Sequence, residues 1–136
     1  MRFLAMALVL LACATSVSAK ECSRLEAQEA EVIAPGLSDW NQIYDAFGRF
    51  RHCDDGAIAE GFTESVVRLL VSHWESLPKA AALAQRDASF RGFLLAHIDA
   101  SADTNDLSRL AELAERRCPA EHRALCANIR AAAVQR

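Results

Sequence analysis

The residues best suited to chemistry lie close together: His52-Cys53-Asp54-Asp55, then Glu60 and Glu64. Imidazole, thiolate and carboxylate are all ligands for Zn²⁺, and a helix beginning after Asp55 could turn them toward one another. The spacing fits neither C-x-x-C nor H-E-x-x-H. Two ordinary roles account for the same residues. Cys53 reads as half of a disulfide in an oxidising compartment. Asp54 or Asp55 reads as a helix cap, accepting a hydrogen bond from a free N–H and favouring the positive end of the helix. Glu60, Glu64 and Arg68 follow at i, i+4 spacing, which suits a solvated salt-bridge ladder better than an acid–base pair. Nothing in these residues points to a resident metal, a cofactor or a catalytic residue.

Two of the other three histidines, His73 and His97, stand where a base could. His73 falls on an apolar helical stripe, and His97 lies beside Phe93 and Leu94, so both read as hydrogen-bonded histidines at the edge of a core. His122 reads as exposed, one turn into the last helix. There is no G-x-S-x-G, no C-x-x-C and no glycine-rich phosphate loop.

Helices must position these groups. The apolar residues recur at helical spacing, with no sustained alternation of the strand kind. Residues 20–34 form a short helix or a loose arm anchored by Cys22, Leu25 and Val32, ended by Pro35-Gly36. Ser38 or Asp39 caps a helix to about Arg51, with Trp40, Ile43, Tyr44, Phe47 and Phe50 inward. The next runs from Ala57 to about Leu77. Its stripe of Ile58, Phe62, Val66, Leu69, His73 and Leu77, widened by Val67, Leu70, Val71 and Trp74, predicts the central helix of a bundle. Pro78 sits in the first turn of another segment, and Asp87 re-caps a piece from Ala88 to Ile98. A polar loop spans Asp99 to Asp106. Leu107, Leu110, Ala111 and Ala114 face inward on a helix ending near Cys118, and Pro119 opens the last helix. Gly61 and Gly92 sit inside helices at a cost of about 1 kcal/mol each relative to alanine, which predicts close packing there.

The first residues give an address. Met1-Arg2, the apolar run Phe3–Ala12 and Val17-Ser18-Ala19 are the three parts of a secretory signal cut before Lys20. The apolar run is about ten residues, half the roughly 20 that a spanning helix needs. Leu10-Leu11-Ala12-Cys13 also resembles a lipobox, which makes lipid anchoring at Cys13 the alternative. Residues 20–136 are read as a single helical domain with no transmembrane segment, able to bury about two thirds of its unfolded surface. Residues 20–106 hold 8 basic and 15 acidic side chains, and residues 107–136 hold 6 and 3. That balance argues against a nucleic-acid partner. The four remaining cysteines, Cys22, Cys53, Cys118 and Cys126, allow three pairings. The preferred one is Cys22–Cys53, clamping the N-terminus, with Cys118–Cys126 stapling a helix corner. In one helix, eight residues would separate the second pair by about 12 Å, so Cys118 must lie outside the final helix.

The run from His52 to Phe62, with Cys118-Pro119 and Cys126, resembles small uncharacterised exported helical proteins of proteobacteria over most of the mature chain. That group implies no activity. In size, address and architecture the chain is also similar to periplasmic immunity proteins that block type VI secretion amidase effectors, an analogy of plan without a shared motif. The expectation is an all-α bundle of about five helices with two disulfides, in the periplasm of a Gram-negative bacterium or secreted. Its expected role is a non-enzymatic one, binding a protein partner through an acidic side that includes Asp54, Asp55, Glu60 and Glu64. The alternative, a periplasmic small-molecule or metal-binding protein, needs a pocket lined by His52, Asp54, Asp55 and His73.

Overall fold

Short polar side chains at helix starts divide this chain. In the computed structural model, which describes residues 19–135, Ser23 and Glu26 close a reciprocal capping box on α1 (Arg24–Ile33). Asp39 accepts from the N–H groups of Asn41 and Gln42 and starts α2 (Trp40–Phe50). Asp55 starts α3 (Gly56–Ser72), Asp87 lies between α4 (Leu77–Arg86) and α5 (Ala88–Ala96), and Asp103 starts α6 (Thr104–Arg116). The last helix, α7, is Arg123–Val134. Each cap satisfies N–H groups that the first turn leaves without an intrahelical acceptor.

The all-α bundle with two disulfides is therefore formed, as seven helices with no strand among the described residues. Within the 20–34 segment Arg24–Ile33 is helical, and Asp87 separates two helices. No described helix is long and apolar enough to cross a membrane. The expected leader, except Ala19, and Cys13 within it lie outside the described residues.

Helix α3 is the hub. Phe62, Val66, Leu69 and Leu70 are buried on it, as are the polar Thr63 and Ser65. It meets α1, α2 and α6, and the 3₁₀ turn Ala34–Gly36 packs along it. Helices α4 and α5 close one side of the core, while α6 and α7 pair on another. A chain of rings from Tyr44 through Phe90, Phe47 and Phe93 to Phe62 and His97 crosses the interior. Neighbouring centroids in that chain are 4.3–5.5 Å apart, and most meet edge-on or tilted, the arrangement ring quadrupoles favour.

Several boundaries differ from the periodicity. Helix α3 stops at Ser72 instead of near Leu77: the His73 carbonyl accepts from the Ser76 N–H at 2.8 Å and the Ser76 hydroxyl at 2.6 Å, and Pro78 falls in the first turn of α4. His73 leaves the helix at φ −134°, and its side chain is exposed rather than part of the stripe. Leu25 and Val32 are not anchors; they are 77% and 79% exposed, and α1 packs through Ala30 and the half-buried Ala27 and Ile33 instead. Pro119 opens only a 3₁₀ turn, Ala120–His122, before α7. Cys118 is thus outside the final helix and bonds Cys126 across 6.1 Å between Cα atoms. Cys22 bonds Cys53 across 5.0 Å and ties the start of α1 to the turn after α2.

Candidate functional site

One packing contact organises a broad surface groove. Gly61 lets the Ala34–Gly36 turn lie directly on α3; a Cβ there would come within 2.9 Å of Pro35 Cδ and 3.0 Å of Ala34 Cβ. The buried Ser65 hydroxyl donates to the Ala34 carbonyl at 2.6 Å and accepts from the Leu37 N–H at 3.2 Å. Arg68 Nη2 donates to the Leu37 carbonyl at 2.8 Å and to Ser65 Oγ at 3.2 Å. A backbone turn held this way leaves no buried polar group unpaired at the contact. It also sets the C-terminal end of α1 beside α3 with a fixed separation.

The groove, about 810 Å³, runs between that edge of α1, the outer side of α3 and the loop before α6. Glu31 and Pro35 form one wall, Glu60 and Glu64 stand along α3, and Asp103 and Asp106 form the far wall. Val67, Val71 and Ala102 contribute apolar surface between them. Five carboxylates therefore face the groove against one guanidinium, Arg68, which pairs with Glu64 at 3.3 Å. Asp103 Oδ1 also accepts from the N–H groups of Asn105 and Asp106, so its position is fixed by the α6 cap.

The acidic set expected from the sequence is divided by the fold. Glu60 and Glu64 lie on the groove. Asp55 caps α3 through the Gly56 N–H at 2.8 Å and does not line the groove. Asp54 turns inward: its Oδ2 is 2.9 Å from His97 Nε2, while His97 Nδ1 is 3.1 Å from Thr63 Oγ1. Asp54 Oδ1 is buried and has no protein hydrogen-bond partner. Thr63 and His97 are 1% and 4% exposed, and the half-buried Asp54 completes a relay that joins the start of α3 to the end of α5 at the edge of the core. Glu31, Asp103 and Asp106 were not singled out in the sequence. Asp103-x-x-Asp106 marks a helix start, but nothing local places it opposite Glu60.

The pocket needed for a carrier reading of His52, Asp54, Asp55 and His73 is not assembled. His52 Nε2 faces Glu26 Oε1 at 3.1 Å, and exposed His73 lies against Glu75 at 3.3 Å. His122 is half-buried, not fully exposed. A different trio, Glu26, His52 and Cys53, brings its ligand atoms within 4.8 Å of one another. With Cys53 in a disulfide, the sulfur is not available as a thiolate. The Glu26 carboxyl is held down at about 2 from the ordinary 4.5, first by Lys20, then by Ser23, which donates from its hydroxyl and its N–H.

No family model matches the chain, and no curated protein or solved structure gives a significant match.

Proposed function

We propose that this chain is an exported, non-enzymatic protein-interaction domain of the inhibitor or immunity kind, and that the groove beside α3 takes a basic segment of its partner. The observation that carries this reading is the groove's lining of five carboxylates and one arginine around an apolar floor. Such a surface attracts a cationic segment over long range and speeds encounter, while Val67, Val71 and Ala102 offer apolar contact once it docks. The secretory-type start, the small size and the two disulfides support action in the periplasm or outside the cell, after cleavage near Ala19.

The test is capture from native cells of the tagged full-length chain, made from its own leader and recovered under non-reducing conditions. One stoichiometric protein should accompany the wild type and the Glu112→Lys/Glu115→Lys control, and be lost from Glu60→Lys/Glu64→Lys. Equal recovery by both double variants would remove the groove as the contact surface.

A further inference from the structure

The clamp at the N-terminus holds a second set of donors. Cys22 is bonded to Cys53, and His52 Nε2, Glu26 Oε1 and Cys53 Sγ are clustered beside that bond. These are two sulfurs, one imidazole nitrogen and one carboxylate oxygen. In a tetrahedral zinc site, bonds of about 2.3 Å to sulfur and 2.0–2.2 Å to nitrogen and oxygen place neighbouring donor atoms about 3.3–3.8 Å apart. The three clustered atoms already lie within 4.8 Å, so closing on an ion needs movements on the order of 1 Å. Cys22 Sγ lies outside that cluster and has to turn toward it after parting from Cys53 Sγ.

We propose that, when the Cys22–Cys53 disulfide is reduced, the chain binds one Zn²⁺ through Cys22 Sγ, Cys53 Sγ, His52 Nε2 and Glu26 Oε1. The same two cysteines then serve as either a covalent or a metal staple. A dithiol reductant supplies the two electrons and two protons that break the S–S bond and is itself left as a disulfide. Zn²⁺ then displaces both thiol protons to solvent as the two Zn–S bonds form. Two sulfur donors with one nitrogen and one oxygen suit zinc over the oxygen-seeking Mg²⁺ and Ca²⁺.

The surroundings favour this set. Cys53 is buried, and the His52 side chain is only 11% exposed. Ser23 donates from its N–H and its hydroxyl to Glu26 Oε2, at 3.1 and 2.7 Å, which orients the carboxylate and leaves Oε1 toward His52. Lys20, which now contacts Oε1 at 2.6 Å, has a solvent-exposed side chain and is free to withdraw. Cys22 immediately precedes α1, whose first turn meets the turn after α2 through Glu26 and His52, and this contact keeps Cys22 near Cys53 after the bond opens.

The full chain, reduced with a phosphine and kept anaerobic, is titrated with Co²⁺ and then Zn²⁺. The wild type and Cys118→Ser/Cys126→Ser should each take up one equivalent of Co²⁺, with sulfur-to-cobalt charge transfer and the intense bands of a tetrahedral ion, and lose it to Zn²⁺. The oxidised chain should show no such spectrum. His52→Ala and Glu26→Gln should each weaken Zn²⁺ binding by about tenfold or more. An absent spectrum in the reduced wild type overturns the proposal, as does Zn²⁺ affinity that is unchanged in His52→Ala. If Cys118→Ser/Cys126→Ser fails to fold, Cys22→Ser in the reduced full chain decides: loss of the spectrum supports the site, and its persistence overturns it.

Discussion

His97 ends the run of rings, 4.3 Å from the Phe93 centroid, and its two nitrogens bridge Thr63 and Asp54. Truncation leaves Asp54 Oδ2 without its partner beside an Oδ1 that already has none. His97→Ala is therefore expected to destabilise by about 1–3 kcal/mol for the stranded polar group, plus the lost ring packing. Denaturant unfolding checks it, and a change below about 0.5 kcal/mol, the range of ordinary surface substitutions, would contradict the role. The position beside Phe93 and Leu94 made a hydrogen-bonded core histidine legible. Its partners were not legible, because Asp54 reads equally well as a cap until the fold brings α5 over it. His73 was misplaced for the opposite reason: its spacing fits the stripe, but the helix ends one residue before it. The two helical glycines also part company. Gly92 has open space where a Cβ would go, whereas Gly61 meets Pro35 and Ala34. Gly92→Ala should stabilise by about 0.5–1 kcal/mol, and Gly61→Ala should cost about 1–3 kcal/mol through overpacking. Thermal melts of the two variants should shift in opposite directions; a stabilised Gly61→Ala would remove the close contact that shapes the groove.

Among the elements, α1 is the one whose sequence says least about its attachment. Its apolar residues Leu25 and Val32 face solvent, and the helix is held by Ala27, Ala30 and Ile33 and by the Cys22–Cys53 bond. Small residues carry little hydrophobic signal, so periodicity alone left this segment open between helix and arm. The aspartate caps on α2 and α5 were easier to read, since Asp39 and Asp87 stand directly before helical stripes, whereas Asp103 was hidden in a polar loop because Thr104, Asn105 and Asp106 follow it. The disulfides close stretches of 31 and 8 residues. Chain entropy then gives roughly 3.7 kcal/mol for Cys22–Cys53 and roughly 2.5 kcal/mol for Cys118–Cys126. Removing the first pair by serine substitution should lower the denaturation midpoint more than removing the second; the reverse order would mean that α1 is held mainly by packing. Acid acts on the same helix. Glu26 titrates near 2 in the folded chain against 4.5 ordinarily, so its ionised form favours folding. That contribution is fully present above about pH 4.5 and is lost as pH falls toward 2. Asp87 is lowered in the same direction, first by the Phe90 N–H and, after the opposing effect of burial, by Tyr44. Glu26→Gln should flatten the stability–pH curve between 4.5 and 2, and an unchanged acid limb would contradict the linkage.

At the scale of the whole molecule, the fold gathers acidic residues that the chain keeps apart. The all-helical class was legible because apolar spacing restricts it locally; the cysteine pairing was a preference among three that the sequence left open, and the fold selects it. The groove was legible only in part: Glu60 and Glu64 share a helix face, but Glu31 and Asp103 reach them through the Gly61 contact and the α3–α6 packing, which are non-local. The central claim is that this face meets a protein partner. Its most direct test places a photoreactive amino acid singly at Glu60 or Ser72 on the groove, and at Glu112 or Glu115 on α6 away from it, with irradiation in native cells. The account predicts a covalent adduct to one and the same protein from positions 60 and 72 and none from 112 and 115. Adducts from 112 or 115 with none from the groove would contradict it.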